Sequence, residues 1–133
     1  WITVVRQEAT LFRDTLRNNL TLYREMEDSA LVDMLRKVGL ASLATRAALD
    51  AMVEDHGANF SGGEKKRICL ARALLRNTEM LILDEPLANL DDETTGRIEA
   101  LLLSIPDRTL LVVSHQFSEK NLARFDAVME LAG

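Results

Sequence analysis

Residues 59–86 read NFSGGEKKRICLARALLRNTEMLILDEP, and they carry most of the information about the fold. A glycine-dense turn at 61–63 is followed by a strong helical pattern of apolar residues. The continuous apolar run 80–83 comes next and ends in the acidic pair Asp84-Glu85. An apolar run of this length between polar residues is typical of a strand buried in a parallel sheet. The stretch therefore predicts a turn, a helix and a strand that delivers two carboxylates to one edge of a sheet.

Similar patterns lie on both sides of this stretch. Residues 2–5 (ITVV), 109–113 (TLLVV) and 127–131 (AVMEL) predict three more strands, and Asp91 is placed to cap a helix over 92–104. This order of strands and helices indicates an α/β protein with a parallel sheet covered by helices. Other helical patterns comprise short turns within 11–23, a helix that Ser29 caps and Gly39 ends, a second helix over 42–52, and a polar helix at 118–123.

The composition is ordinary for a soluble globular chain of 133 residues, with 47% hydrophobic and 28% charged residues. The formal net charge of -5 argues against a broad basic face for nucleic acid. The single cysteine, Cys69, cannot form an internal disulfide, so nothing indicates a disulfide-stapled secreted scaffold. No apolar run approaches the roughly 20 residues of a membrane span, and no signal-peptide pattern opens the chain. Because the first residue is Trp1 rather than Met, we expect a piece of a longer protein.

The glycine-dense turn is a candidate anion site. A helix N-terminus leaves backbone N–H groups unpaired and carries a partial positive charge, and glycines allow a phosphate to come close. Ser61, Gly62 and Gly63 could therefore hold phosphate oxygens. A simple loop and helix cap explains the same three residues, and by themselves they favour that simpler interpretation.

Polar residues that follow the predicted strands are candidates for a catalytic edge. Asp84 suits Mg²⁺, directly or through water, and Glu85 suits a general base on an attacking water. His115 can donate to a phosphate oxygen, and Gln7 can contact Mg²⁺ or its water. The ordinary alternatives are solvated acids before a proline turn, a capping or surface histidine, and a solvated glutamine. Chance rarely places all of them where a doubly wound sheet gathers its ligand groups.

Residues 59–86 also resemble the signature-to-Walker-B region of an ABC-type ATPase. Residues 88–91 (ANLD) are similar to the D-loop of that family, His115 to its switch histidine and Gln7 to its Q-loop glutamine. The stretch 11–20 resembles the segment that exporters carry after that glutamine.

The resemblance implies a fold class and a division of the chain. The implied fold is α/β, a partial P-loop NTPase (RecA-like) parallel sheet with a helical subdomain that carries the signature. We expect a truncated nucleotide-binding domain over 1–133. Its helical subdomain is expected at about 8–76, and its RecA-like core remnant at about 1–7 and 77–133.

The resemblance also implies cofactors and residue roles. ATP and Mg²⁺ are the expected cofactors of the complete domain. Asp84 would order Mg²⁺, Glu85 would polarise the attacking water and His115 would sense the γ-phosphate. Gln7 would contact the metal and couple the site to the membrane domain. The residues implied to act between subunits are Ser61, Gly62, Gly63 and Glu64, which would bind the ATP held by the other subunit, and Asp91, which would act across the dimer interface.

The expected partners follow from the same family. They are the transmembrane domain of a transporter and a second nucleotide-binding domain, identical or different, with no nucleic acid. The expected location is the cytoplasmic face of the cell membrane, whereas this piece by itself is expected to be soluble. A DNA-repair relative is disfavoured, because the spacing of 54 positions from Gln7 to Ser61 leaves no room for a long coiled-coil insertion.

Two departures from the family pattern limit the expected activity. The sequence contains no G-x-x-x-x-G-K-S/T motif, which cradles phosphates and reaches Mg²⁺. We therefore expect the first strands and the P-loop to be missing and the isolated chain to be inactive as an ATPase. The alternative is a naturally truncated, non-catalytic module that docks on a transporter subunit. Glu64 replaces the usual Gln, and its carboxylate would repel a polyphosphate unless Lys65, Lys66 or Mg²⁺ compensates.

The missing P-loop strand has a structural consequence. Without it, 109–113 becomes an exposed edge strand and 127–131 loses its neighbour in the sheet. Exposed apolar edges invite pairing with another chain. We therefore expect either self-association or movement of 127–131 into the vacant place beside 109–113.

Overall fold

The computed structural model describes residues 1–131. Three strands, β1 (Ile2–Val5), β2 (Met80–Asp84) and β3 (Thr109–Val113), form a parallel sheet in the order β1-β2-β3. The predicted α/β architecture with a parallel sheet is therefore confirmed. The described helices are α1 (Leu16–Thr21), α2 (Asp28–Lys37), α3 (Arg46–Asp50), α4 (Gly62–Leu75), α5 (Asp92–Leu103) and α6 (Glu119–Leu122), with short 3₁₀ turns at Ala41–Leu43 and Asp55–Gly57.

The described part of the sheet has one covered face and one open face. Side chains alternate between the two faces of a strand. Leu81 and Leu83 of β2 are fully buried and belong to one core cluster with side chains of α4 and α5. The side chains of Ile2, Val4 and Leu111 project on the other face and are exposed. Because the strands are apolar on both sides, the sequence predicts helices on both faces of the sheet. The described residues supply helices on one face only.

A single guanidinium group ties α4 to the segment that follows β1. Arg72 donates to the backbone carbonyl oxygens of Asn19 at 2.7 Å and Thr10 at 3.0 Å. Its guanidinium carbon also lies 5.7 Å from the ring centroid of Phe12. The buried leucines of α1 and α2 belong to the same core cluster as β2. A continuous core therefore joins the two predicted parts of the chain, and their boundaries near residues 8 and 76 stay a prediction.

Two helices start where the sequence predicts a cap. The Ser61 hydroxyl oxygen accepts a hydrogen bond from the Glu64 N–H at 3.1 Å, and α4 begins at the next residue. The Asp91 carboxylate accepts one from the Thr94 N–H at 2.7 Å, and α5 follows directly. Both predicted starts are confirmed. They could be predicted because capping depends on residues close in sequence.

The start of α2 differs from the prediction. The helix begins at Asp28, so Ser29 lies inside its first turn and is not the cap. The reason is that the Asp28 carboxylate forms ion pairs with Arg17 and Arg46, which hold the first turn in place. The predicted end is confirmed, since Gly39 follows the helix with a φ of 81°, a left-handed conformation that favours glycine.

The helix predicted over 42–52 is also wrong in its extent. The α-helical part is limited to Arg46–Asp50, and a separate 3₁₀ turn covers Ala41–Leu43. The Thr45 hydroxyl oxygen accepts a hydrogen bond from the Ala48 N–H at 3.1 Å and caps a new start. Side-chain competition with the helical backbone therefore interrupts the expected helix.

The strand predicted over 127–131 is absent. These residues have no regular secondary structure and are exposed. Within the described range β3 pairs only with β2, so 127–131 does not lie in the place beside it. A strand needs ladder hydrogen bonds from a neighbour, and within the described residues the segment 127–131 makes none. Segment 127–131 therefore has no neighbour in the described sheet, as expected, whereas the predicted movement of this segment to the edge of β3 is wrong.

The described helices are short. The longest is α4 with 14 residues. A helix that crosses a bilayer needs roughly 20 apolar residues. Among residues 1–131, no helix combines the length and the apolar character that a membrane crossing requires.

Candidate functional site

The carboxyl ends of the three strands gather four of the predicted site residues at one edge of the sheet. Asp84 is the last residue of β2 and is in register with Val113, the last residue of β3. The Glu85 N–H donates to the Val113 carbonyl at 2.7 Å, which extends the parallel ladder by one residue. Gln7 lies two residues beyond the end of β1, at the same edge. This edge is where open α/β sheets bind their ligands.

Glu85 and His115 are in direct contact at this edge. The Glu85 Oε1 atom lies 2.8 Å from His115 Nδ1. The Glu85 side chain is only 14% exposed, whereas that of His115 is 79% exposed. The second carboxylate oxygen of Glu85, Oε2, is buried and has no hydrogen-bond partner among the described residues. Because buried polar atoms are normally paired, this oxygen is placed to accept a hydrogen bond from a bound water or ligand.

The backbone at Glu85 is unusual. Its φ is 50°, in the left-handed region that non-glycine residues seldom adopt. Asn89 shares this feature with a φ of 64°. Strained backbone of this kind occurs at functional sites when the surroundings hold it in place. The turn 85–90 is therefore a strained connection that carries a carboxylate at one end and leads to Asp91 at the other.

Asp84 and Gln7 are the predicted metal contacts. Asp84 is half-buried at the strand end, and Gln7 is exposed in the bend after β1. Within residues 1–131, no cluster of three metal-ligating His, Cys, Asp or Glu side chains exists. Mg²⁺ does not require such a cluster, because it commonly uses one or two carboxylates together with waters and phosphates. The donor set of this edge fits Mg²⁺ in that incomplete manner.

The start of α4 carries the predicted anion site, and a pair of reciprocal hydrogen bonds between Ser61 and Glu64 caps it. The Glu64 carboxylate accepts a hydrogen bond from the Ser61 N–H at 2.9 Å, in addition to the cap that Ser61 provides. This reciprocal capping box places a negative charge at the positive end of the helix. Gly62 is exposed, and a Cβ atom added there would meet no atom within 4 Å. The helix start is thus open to an approaching phosphate, but the Glu64 carboxylate already accepts the hydrogen bond from one of its N–H groups, that of Ser61.

Asp91 is the N-cap of α5 in this chain. Its carboxylate is exposed and caps α5 through Thr94. Hydrogen bonding from the Thr94 N–H lowers the pKa of Asp91, with smaller contributions from the Thr94 side chain and from the charge of Arg67. The cap therefore keeps Asp91 ionised, and its predicted role across a dimer interface stays a prediction.

Lys66 is a residue of this region that the sequence prediction misjudged. The sequence offers it, with Lys65 and Mg²⁺, as one of three groups that could compensate the charge of Glu64, but its side chain contacts the turn 85–90 instead. The residue is only 8% exposed, and its ammonium group donates to the Ala88 carbonyl at 3.3 Å. Burial lowers the pKa of Lys66, and the nearby charges of Glu85 and Asp84 offset part of that effect. The sequence carries no signal for this, because only the packing of α4 against the turn 85–90 shows which face of the helix is buried.

A family model described as "ABC transporter" matches residues 1–88. Over 130 residues, the chain is 39% identical to the glutathione/L-cysteine transport system ATP-binding/permease protein CydC of Escherichia coli, covering 96% of this chain and 22% of that protein. It is 37% identical over 123 residues to the ATP-dependent lipid A-core flippase of Photobacterium profundum, covering 88% of this chain and 21% of the flippase.

Solved structures give the same result. A bacterial Atm1-family ABC exporter with ATP bound matches 86% of this chain and 21% of its own, with a TM-score of 0.76 and 27% sequence identity. The chain therefore spans about a fifth of the length of these relatives. The expected resemblance and fold class are confirmed. The comparisons do not address the roles of individual site residues, which stay predictions.

Proposed function

This chain belongs to the ABC transporter family, and on that premise we propose that it forms part of the ATP-hydrolysing domain of an exporter. The observation that carries the proposal is the contact between Glu85 and His115 at the carboxyl edge of the sheet. It leaves one buried carboxylate oxygen of Glu85 without a partner in the described chain. A carboxylate oxygen of this kind can accept a hydrogen bond from the attacking water during ATP hydrolysis.

We assign Glu85 as the residue that polarises the attacking water. His115 engages Oε1 and thereby fixes the carboxylate, so that Oε2 is left to accept a hydrogen bond from the water. Because His115 Nδ1 faces a carboxylate, it acts as a hydrogen-bond donor. The other ring nitrogen, Nε2, can then donate to a phosphate oxygen only when the ring is an imidazolium. Its exposed ring gives His115 access to a γ-phosphate.

We further propose that Asp84 and Gln7 contact Mg²⁺. When bound, this ion neutralises charge that develops on the phosphates during hydrolysis. Asp84 holds the position because β2 ends there, and Gln7 because β1 ends two residues before it. The bend that carries Gln7 is exposed, so the same residue is available to couple the site to a membrane domain.

The proposed partners are a transmembrane domain and a second nucleotide-binding domain. Ser61, Gly62 and Gly63 at the start of α4 would bind the ATP held by that second domain, and Asp91 would act at the same interface. An exposed, open helix start supports this role, because a nucleotide can approach it from outside the chain. The proposed location is the cytoplasmic face of the membrane. The acidic net charge of -5 gives no support for a nucleic-acid partner.

The substitution Gly62→Ala tests the nucleotide contact. The new methyl group fits without a clash, so the fold should be retained. It would, however, occupy the space through which a phosphate reaches the helix N–H groups. We expect the ATP concentration at half-maximal hydrolysis by the complete transporter to rise by about tenfold, the loss of roughly one charge-assisted hydrogen bond.

Gly96→Ala is the matched control for this test. Gly96 lies inside α5, and a Cβ atom added there also meets nothing within 4 Å. Alanine should raise the helix propensity at this position without changing the response to ATP. Equal ATP dependence of the Gly62→Ala and Gly96→Ala proteins would contradict nucleotide binding at the start of α4.

A second prediction concerns the charge of Glu64. Glutamine keeps the hydrogen-bond acceptor of the capping box but removes the negative charge. We expect Glu64→Gln to lower the half-maximal ATP concentration by about fivefold, because a nearby like charge costs on the order of 1 kcal/mol in a solvated site. Glu93→Gln removes one exposed charge from the first turn of α5 and should have no effect. An unchanged ATP dependence in Glu64→Gln would mean that this carboxylate does not face the nucleotide.

A further inference from the structure

One face of α4 rests on the strained turn 85–90. A Cβ atom added at Gly63 would lie 3.5 Å from Leu90 Cδ2, so the helix start is in contact with the end of the turn. About one helical turn after Gly63, the Lys66 ammonium group donates to the carbonyl oxygen of Ala88 at 3.3 Å. Residues three apart lie on the same helix face, so these two contacts form one continuous strip.

A buried lysine requires a physical reason. Lysine is almost never fully buried without a partner, because removing its charge from water is costly. Within the described chain, the only hydrogen bond of the Lys66 ammonium group is the one to Ala88. The charges of Glu85 and Asp84 lie close enough to favour the ionised lysine. The ammonium group therefore has one hydrogen-bond partner in the described chain, the backbone of the turn that follows the acidic pair.

The turn has little internal support. The Ala88 N–H reaches the Glu85 carbonyl at 3.3 Å, and the Leu90 N–H reaches the Leu87 carbonyl at 3.4 Å. Both distances exceed the common range for strong hydrogen bonds. Glu85 and Asn89 in addition have left-handed backbone conformations. Contacts from outside the turn therefore contribute to its shape: the Glu85 N–H donates to the Val113 carbonyl at 2.7 Å, Leu87 is fully buried, and Lys66 supplies the charged contact to Ala88.

We propose that Lys66 is a positioning residue, which links the start of α4 to Glu85 by holding the Ala88 carbonyl. This inference rests on the proposed function, in which the start of α4 binds one nucleotide and Glu85 acts on another. A shift of α4 moves the ammonium group, which moves the turn and with it the Glu85 carboxylate beside His115. Lys66 itself touches no nucleotide, because it is buried on the face of α4 that lies against the turn.

The test compares Lys66→Met and Lys66→Arg in the complete transporter. Methionine fills the space but cannot donate a hydrogen bond, whereas arginine can. We expect Lys66→Met to lower the maximal rate of ATP hydrolysis by about tenfold, with the half-maximal ATP concentration changed less than about twofold. Lys66→Arg should recover most of the rate. Lys37→Met is the control, because Lys37 is an exposed lysine of α2 whose one ion pair among residues 1–131 is with Asp33.

Two further measurements separate positioning from a loss of stability. In the Glu85→Gln background, Lys66→Met should cause no additional loss of rate, because both changes act through one carboxylate. Hydrogen exchange should accelerate at the Ala88 and Leu90 amides in Lys66→Met but stay unchanged in α5.

Several outcomes would overturn the inference. They are a Lys66→Met rate equal to that of Lys37→Met, rate losses that multiply with those of Glu85→Gln, and unchanged exchange at Ala88 and Leu90. Absence of ATP hydrolysis in the unmodified protein would instead overturn the proposed function. The exchange measurement does not depend on hydrolysis, so it would still decide whether Lys66 holds the turn.

Discussion

Replacing Glu85 with glutamine is expected to lower ATP hydrolysis by the complete transporter by about 100-fold or more, while ATP binding persists. Glutamine has nearly the same shape, so the contact with His115 and the left-handed turn should remain. The amide cannot take a proton from the attacking water, and the buried Oε2 position loses its negative charge. Rapid-quench measurement of phosphate release at saturating Mg-ATP, together with equilibrium nucleotide binding, separates these two effects.

Glu79→Gln is the appropriate comparison for that experiment. Glu79 immediately precedes β2, so the same substitution is made at the opposite end of the same strand, on an exposed side chain. It should leave both hydrolysis and binding unchanged. Normal turnover of the Glu85→Gln protein would remove Glu85 from the role of catalytic base and would leave Asp84 or His115 as candidates.

Much of the candidate site could be predicted from the sequence because its signals are local. Strand ends are marked by a change from apolar to polar residues, and this change places Asp84, Glu85 and His115 correctly. The caps Ser61 and Asp91 depend on a hydrogen bond to a residue three positions away, so sequence spacing alone identifies them. The parallel arrangement of the strands then brings their carboxyl ends together without further information.

The remaining features depend on contacts between distant parts of the chain. Lys66 looks like a solvated lysine in sequence, and only the packing of α4 against the turn 85–90 shows that it is buried. The left-handed conformation of Glu85 likewise has no signal in the sequence; it occurs where the Glu85 N–H bonds to the Val113 carbonyl of the neighbouring strand. A strand at 127–131 requires a neighbour that no pattern within the segment can supply. Local rules therefore predict which groups reach the edge, and tertiary contacts determine how they are oriented.

Leu83→Ala is expected to destabilise this chain by about 2–5 kcal/mol, because Leu83 is 0% exposed and its truncation leaves a cavity beneath the acidic pair. Urea unfolding, with the slope compared to that of the unmodified chain, measures this change. Leu83→Met conserves volume and should cost less than about 1.5 kcal/mol, which keeps the measurement informative where the alanine variant is too unstable to study.

Leu111→Ala tests the open face of the sheet with the same chemical change. Leu111 lies on β3 and is 48% exposed, so its truncation should cost about 1 kcal/mol or less. A cost comparable to that of Leu83→Ala would contradict an open face, because the side chain would then be losing contacts with a covering partner. A second copy of the chain is one partner that could cover it, and a dependence of stability on protein concentration would identify that case. The difference between two leucines on neighbouring strands therefore measures how completely the sheet is enclosed in solution.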